Sequence, residues 1–324
     1  MKKQDVVEQI IGHRSRSPSM RGRGHAPVNI ALCKYWGKRD KELNLPVTSS
    51  LSMSMTGLGA TTEIRPCAGT HDRITLNGQE VDPSQAFASR LSAYLHLFRP
   101  TGISFEVDTT SDVPVGAGLA SSAAGFAAIV LALNDLFGWE LDPPSLSILA
   151  RLGSGSACRS IHSGFVEWQA GERADGMDSY ATPLSEEWPE LMIGWLPLST
   201  DEKPISSREA MLRTVETSRL YTAWPEQVAN DLAIIKQAIT DHSLEALGPA
   251  VESNALAMHA TMWAAWPPVN YWLPETLAVL QQVWKLRAEG LALYFTMDAG
   301  PNVKLIYQKQ DQPTIRQAFP EIHI

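Results

Sequence analysis

The sequence predicts an α+β fold in two lobes, and three observations carry that expectation. At 324 residues the chain has room for one large or two medium domains, each with a sizeable core. Strand-like and helical stretches alternate through its first part, whereas long helical periodicities dominate from about 225 to 289, ahead of a last strand pair. Between them, the region near 185–200 reads as a boundary. These divide the chain into a basic N-terminal arm (1–25), an N-terminal lobe (26–190) and a C-terminal lobe (191–324).

In order, the arm holds six Lys/Arg against two acids, a balance of +4 that leaves −12 for the remainder. Arg14, Arg16, Arg21 and Arg23 could contact phosphate, but a frayed, solvated terminus is the expectation. The arm lacks the apolar core of a secretory signal. Val28 begins an apolar run that ends in Lys34-Tyr35-Trp36-Gly37-Lys38, two cations around an aromatic pair. Residues 49–55, 61–64, 74–76 and 103–107 read as strands, with Asn77-Gly78 as a hairpin turn. Pro83 opens an amphipathic helix to about Phe98. Asp142-Pro143-Pro144 starts a short helix that stops at Gly153. Residues 164–168 and 191–198 are further strands, helices follow from about 206, 225, 243 and 274, and strands at 291–297 and 303–307 flank Asp298-Ala299-Gly300-Pro301-Asn302.

The most informative stretch is 114–125, a loop of small residues between a strand and the apolar helix that Gly138 closes. Gly116 and Gly118 permit positive φ and close backbone approach. The free N–H groups and positive dipole of a helix start face an anion there, and Ser121 and Ser122 can cap the helix or meet phosphate or its metal ion. The spacing is neither a Walker loop nor the dinucleotide Gly-x-Gly-x-x-Gly pattern. The same small residues would also serve a tight helix–sheet contact.

A second anion site is expected at Gly153-Ser154-Gly155-Ser156-Ala157-Cys158-Arg159-Ser160, where hydroxyls alternate with glycines before an arginine. A planar guanidinium grips a carboxylate or phosphate bidentately. Ser206 with Glu209 reads as a capping box, and Ser207 and Arg208 stand at the same dipole-positive helix end. Asp298 sits where a strand gives way to a glycine turn, a usual place for a working residue, although Asp also bonds its own turn backbone there. His162 and His259 lack metal-ligand spacing and read as ordinary histidines.

A net charge of −8 argues against general nucleic-acid binding. Cys33, Cys67 and Cys158 form no CxxC pair, which fits a reducing cytoplasm. The longest apolar run is too short to span a bilayer, so a soluble protein is expected.

The form Pro-x-x-x-Gly-Leu-x-Ser-Ser-Ala resembles the ATP loop of the GHMP small-molecule kinase superfamily. With Asn29 to Asp40, Gly153 to Ser160, Ser206 to Met211, Thr214 to Ser218 and Met297 to Asn302, the chain is similar from about residue 26 to 310 to the diphosphomevalonate decarboxylase family. Lys34-Tyr35-Trp36-Gly37-Lys38-Arg39-Asp40 and Gly153 to Ser160 are specific to that family. The resemblance implies a ribosomal-protein-like α/β N-terminal lobe, a ferredoxin-like α+β C-terminal lobe, and a site in the cleft between them. It further implies that Pro114, Gly116, Gly118, Leu119, Ala120, Ser121 and Ser122 hold ATP and Mg²⁺, with Ser122 facing the metal. Tyr35, Lys38, Ser154, Ser156, Ser207, Arg208 and Met211 would bind the substrate, mevalonate 5-diphosphate. Arg159 would take its carboxylate, Asp298 its 3-hydroxyl, and Lys34 would set the electrostatics around Asp298.

The reaction so implied is ATP-dependent decarboxylation to isopentenyl diphosphate, in a cytoplasmic homodimer of the isoprenoid (mevalonate) pathway. A mevalonate 3-kinase or a mevalonate 5-phosphate decarboxylase of the same fold is the nearest alternative. Retention of Lys34 with Asp298 argues against the kinase, and Tyr35, Lys38, Ser154, Ser156 and Arg208 favour a diphosphate. A non-catalytic nucleotide-binding regulator should have lost catalytic side chains, and this chain has kept them. His162-Ser163, Ala210 and the long arm depart from the family's usual pattern.

Overall fold

The computed structural model describes residues 1–14, 17–113, 121–201 and 203–323. Pro114, Gly116, Gly118, Leu119 and Ala120 of the expected ATP loop therefore lie outside the described residues. The N-terminal lobe opens with α1 (Lys3–Ile11), then β1 (Gly22–Cys33), the short pair β2 (Lys38–Asp40) and β3 (Leu45–Pro46), and β4 (Ser50–Cys67). It continues through β5 (Arg73–Leu76), β6 (Gln79–Glu80), α2 (Ala86–His96), β7 (Ser104–Ser111), α3 (Ser121–Phe137) and α4 (Pro143–Gly153). A 3₁₀ segment (Gly155–Ile161) leads to β8 (Phe165–Trp168) and β9 (Ala181–Pro183).

The larger sheet runs β6-β5-β7-β4-β8-β9, with β1 also paired to β4. The 18-residue β4 is its spine, antiparallel to β1, β7 and β8. Two separate strands were expected here. Gly57, at φ 75°, takes up the bend without ending the strand, and the β1 register shifts between Pro27 and Asn29 opposite it. α3 lies so close on β1 that a Cβ at Gly22 or Gly24 would run into its backbone at Ala132 and Ala128. The Asn77-Gly78 turn forms with both residues at positive φ, joining β5 to β6. The helix expected from Pro83 begins only at Ala86, because Asp82 accepts the Ser84 N–H at 2.8 Å and folds residues 82–85 into a turn first.

The arm is the clearest correction. Val6, Val7, Ile10 and Ile11 recur at helical spacing and are buried, so residues 3–11 are a docked helix rather than a frayed tail. Gly22 to His25, also assigned to the arm, already belong to β1.

The C-terminal lobe contains β10 (Leu191–Leu196), α5 (Ser207–Thr217), α6 (Trp224–Thr240), α7 (Leu244–Trp263), α8 (Pro274–Ala288), β11 (Leu293–Met297), β12 (Val303–Gln308) and α9 (Gln312–Ala318). Its sheet is antiparallel in the order β10-β12-β11. Ser206 caps α5 by accepting the Glu209 N–H at 3.2 Å, but Glu209 pairs with Arg213 at 3.0 Å instead of returning to the cap, so only half of the capping box forms. Among the described residues no helix is long and apolar enough to cross a membrane.

The lobes meet where β1 ends and β11 ends. The Ala31 carbonyl accepts the Lys34 ammonium at 2.7 Å and the Thr296 hydroxyl at 3.4 Å, stitching the two chain segments together.

Candidate active site

Asp298 leaves the end of β11 and lies between two buried lysines. Its Oδ1 is 3.0 Å from Lys34 Nζ, just past β1, and its Oδ2 is 3.1 Å from Lys304 Nζ on β12. Its side chain is 25% exposed while the lysines are 2% and 1% exposed, so the open face of the group is the carboxylate. Burial alone would raise this carboxyl, but Lys304 and Lys34 outweigh it and hold Asp298 well below the usual carboxylate range. Burial in turn pushes the Lys34 ammonium down, against the pull of Asp298.

A polar shell fixes this cluster. The Lys34 backbone N–H donates to Asn254 Oδ1 at 2.7 Å, and Asn254 donates to Asp231 at 2.8 Å. Glu252 accepts the Phe295 N–H at 3.1 Å and pairs with Arg287, which anchors β11 just ahead of Asp298. His259 is fixed in one tautomer. Trp272 Nε1, a donor only, points at His259 Nδ1 at 3.0 Å, so Nε2 carries the proton and donates to the Asp298 carbonyl at 3.1 Å. Burial, with the Lys34 charge adding to it, pushes this imidazole down to about 3 and keeps it neutral. Lys203 donates to the Ala299 carbonyl at 2.6 Å and to the Ser207 hydroxyl at 3.3 Å, tying the Asp298 turn to the start of α5.

Arg159, on the 3₁₀ segment, is buried among neutral acceptors: Ser50 Oγ at 2.6 Å, Ser52 Oγ at 3.0 Å and Asn29 Oδ1 at 3.4 Å. No carboxylate pairs with it among the described residues, and Asp298 lies within its electrostatic reach. Burial disfavours its charge, yet a guanidinium does not lose its proton in a protein. A buried cation held in place by neutral acceptors, with no carboxylate in contact with it among the described residues, is a receptor for an anion.

Tyr35 and the serines continue the wall. The Tyr35 ring packs edge-on against Trp168 at 4.7 Å, and its buried hydroxyl lacks a partner among the described residues. A Cβ on Gly155 would come within 2.8 Å of that ring, so only glycine lets the serine loop approach it. Ser154 and Ser156 flank this contact, both half-buried. Lys38 donates to Asn44 Oδ1 at 2.6 Å, and Asn44 is itself tied to the Arg151 carbonyl at 2.8 Å. Lys38, Arg208 and Met211 line one cavity of about 360 Å³ between the lobes. Burial, then repulsion from Arg208 and Lys3, pushes the Lys38 ammonium down to about 8.

The structure thus brings Lys34, Arg159 and Asp298 together as one charged cluster, and Lys38, Arg208 and Met211 as one cavity wall; Tyr35, Ser154 and Ser156 lie beside Arg159. Ser207 is the first residue of α5, on the side that Lys203 reaches. Ser122 is exposed in the first turn of α3 and is not among the residues that line that cavity. His162 bonds the Ala181 carbonyl at 3.1 Å and is the ordinary histidine expected of it. His259, Lys304, Lys203 and Asn254 were not anticipated. Lys304 did leave a signal, as a lysine set within the apolar run Val303 to Tyr307.

Residues 26–181 match the diphosphomevalonate decarboxylase-like N-terminal domain, and residues 196–323 match the mevalonate 5-diphosphate decarboxylase C-terminal domain. Bos taurus diphosphomevalonate decarboxylase is 38% identical over 91% of this chain and 80% of its own. The crystal structure of mevalonate diphosphate decarboxylase from Staphylococcus aureus aligns with a TM-score of 0.88 at 36% identity, covering 94% of both chains. A structure of MDDEF in complex with MVAPP, AMPPCP and magnesium aligns at 0.86 and 38% identity, over 94% of this chain and 95% of that one. Matched on both sides of its cleft and along nearly its whole length, the chain belongs to the diphosphomevalonate decarboxylase family.

Proposed function

We propose that this chain converts mevalonate 5-diphosphate to isopentenyl diphosphate at the expense of ATP, releasing ADP, phosphate and CO₂, with Asp298, Lys34 and Arg159 at the reacting centre. The observation that carries the reading is a carboxylate kept anionic by two buried ammoniums, within electrostatic reach of a buried arginine that has no carboxylate partner. A tertiary hydroxyl leaves poorly, so phosphorylation must precede loss of the carboxylate. Asp298 accepts the hydrogen bond of the 3-hydroxyl and aims its oxygen at the γ-phosphoryl group. So low a pKa makes Asp298 a weak base, and its main contribution is alignment followed by stabilisation of the positive charge that develops at C3 as phosphate departs. Arg159 holds the carboxylate in the ground state. CO₂ leaves neutral, so a moderate grip there suits the reaction better than a tight one.

Lys38 and Arg208 take the diphosphate, and the orphaned Tyr35 hydroxyl with Ser154, Ser156 and Ser207 supplies neutral donors around it. Met211 is the apolar wall. The loop at 114–120 with Ser121 and Ser122 would hold ATP. The exposed Ser122 hydroxyl at a helix start suits Mg²⁺, which prefers oxygen ligands and spreads the charge of the transferring phosphoryl group when bound.

A product assay with Mg·ATP and mevalonate 5-diphosphate tests the reading. Equal yields of ADP, phosphate and CO₂ are expected. ADP without CO₂ would make the protein a 3-kinase, and turnover only of the monophosphate would overturn the diphosphate assignment. The Lys38 pKa adds a pH signature. Its charge is present below about pH 8 and lost above, so kcat/KM for mevalonate 5-diphosphate falls as pH rises through about 8. Lys38→Arg should abolish that limb, and a limb that survives the substitution belongs to another group.

The reading extends to a cytoplasmic homodimer divided near residue 190. Free Cys33, Cys67 and Cys158 support the reducing compartment, and exposed Trp263, Trp266, Leu277 and Trp284 offer apolar surface to a second copy. Light scattering at micromolar concentration tests the dimer.

A further inference from the structure

The N-terminal domain shared with the family begins at residue 26, and α1 precedes it. The helix nonetheless reaches the edge of the cleft with its first residue. Val6, Val7, Ile10 and Ile11 bury its apolar face, and the Arg14 guanidinium donates to the carbonyls of Ile10 at 3.0 Å and Trp139 at 3.2 Å. Packed this way, α1 presents Lys3 to the cavity that Lys38, Arg208 and Met211 line.

The charges on that wall are unevenly answered. Lys41 pairs with Glu216 at 3.0 Å and Glu209 pairs with Arg213 at 3.0 Å, so the acids lining the cavity are engaged. Among the described residues Lys38 has only the neutral Asn44 as a hydrogen-bond partner. Glu42 attracts the Lys3 ammonium from beyond ion-pair distance, and its Oε1 accepts the Lys3 backbone N–H at 3.5 Å. Among the described residues no carboxylate lies within ion-pair distance of Lys3, Lys38 or Arg208. Three cations thus face one concavity and repel one another, an arrangement that costs free energy until a polyanion enters.

Resting on the function proposed above, we propose that Lys3 is a further substrate-binding residue. α1 docks its ammonium against the diphosphate end of mevalonate 5-diphosphate, so a segment outside the two family domains helps to set affinity for the substrate. The role is one of binding and not of chemistry, because the cavity that Lys3 lines includes neither Asp298 nor Arg159.

Steady-state kinetics on the full-length enzyme test this. Lys3→Met keeps the aliphatic stem and removes the charge. It should raise KM for mevalonate 5-diphosphate roughly five- to tenfold, the size of one partly screened charged contact, with kcat and KM for ATP within about twofold of wild type. Lys3→Arg should restore the KM. Lys2→Met, which removes an exposed charge one residue away, should leave it unchanged. An unaltered KM in Lys3→Met overturns the proposal, and so does an equal rise in Lys2→Met, which would reduce the effect to the general field. Thermal unfolding separates these results from misfolding: Lys3→Met should melt with wild type, and Lys3→Arg recovers KM only if the fold is intact. A wild-type enzyme inactive on mevalonate 5-diphosphate would instead sink the functional reading itself.

Discussion

Asp298→Asn should lower kcat by about 10³- to 10⁴-fold while leaving KM for mevalonate 5-diphosphate within a few-fold. The substitution keeps the shape of the side chain and removes the charge that Lys34 and Lys304 hold in place. Following ADP and CO₂ separately tells which step needs it. Loss of both places Asp298 at phosphoryl transfer, aligning the 3-hydroxyl; ADP release without CO₂ places it at the cationic stage that follows. Retention of a tenth of kcat would remove Asp298 from the mechanism. The variant also leaves two buried ammoniums without their counter-charge. Because the carboxylate is partly exposed, the stability cost should be about 1–3 kcal/mol, less than for a fully buried pair. The sign of its pH dependence follows from the lowered folded-state pKa. The stabilisation is present above the unfolded value of about 4 and fades as pH falls below it, so the Tm difference between variant and wild type narrows in acid.

Arg159→Gln should cut kcat/KM by about 10²- to 10³-fold, the worth of a charge-assisted bidentate contact in a dry site. Its effect on the free protein should run the other way. Among the described residues Arg159 is a buried charge hydrogen-bonded to the neutral Ser50, Ser52 and Asn29, with Asp298 acting on it from beyond contact, so a neutral amide of similar reach should leave stability unchanged or raise it by about 1 kcal/mol. Thermal melts with and without mevalonate 5-diphosphate check both halves: wild type gains Tm from the substrate, and the variant loses most of that gain. A variant within tenfold of wild-type kcat/KM would refute the carboxylate role. A melt well below wild type would show that the three hydrogen bonds outweigh the buried charge.

What the sequence disclosed and what it hid have physical causes. Lys34 and Asp298 sit immediately beyond strands, Arg208 at a helix start and Arg159 in a short 3₁₀ segment, where glycine, serine and cations in one short stretch have few structural explanations; they were legible as candidates for that reason. Lys304 and His259 were not, since each stands singly within a regular element and acquires its role only when β12 and α7 pack beside the Asp298 turn. β4 was broken in two because Gly57 and Gly59 look like a turn, and only the β1 register shows a strand bending through them. In the arm, the count of cations concealed the apolar spacing of Val6, Val7, Ile10 and Ile11, which folds it onto the lobe. The expected ATP loop at 114–120 rests on its motif alone.

The contact between Lys34 and Asp298 closes a loop of 264 residues. Closing so long a loop costs entropy that only the finished interface between the lobes repays, so this pair belongs among the last contacts made in folding. During synthesis, β11 and β12 emerge long after the N-terminal lobe can begin to fold, and a nascent chain carries its cation-lined pocket before it owns the carboxylate that works beside it. Refolding experiments should therefore separate two clocks, with the N-terminal lobe regaining its secondary structure ahead of the return of turnover.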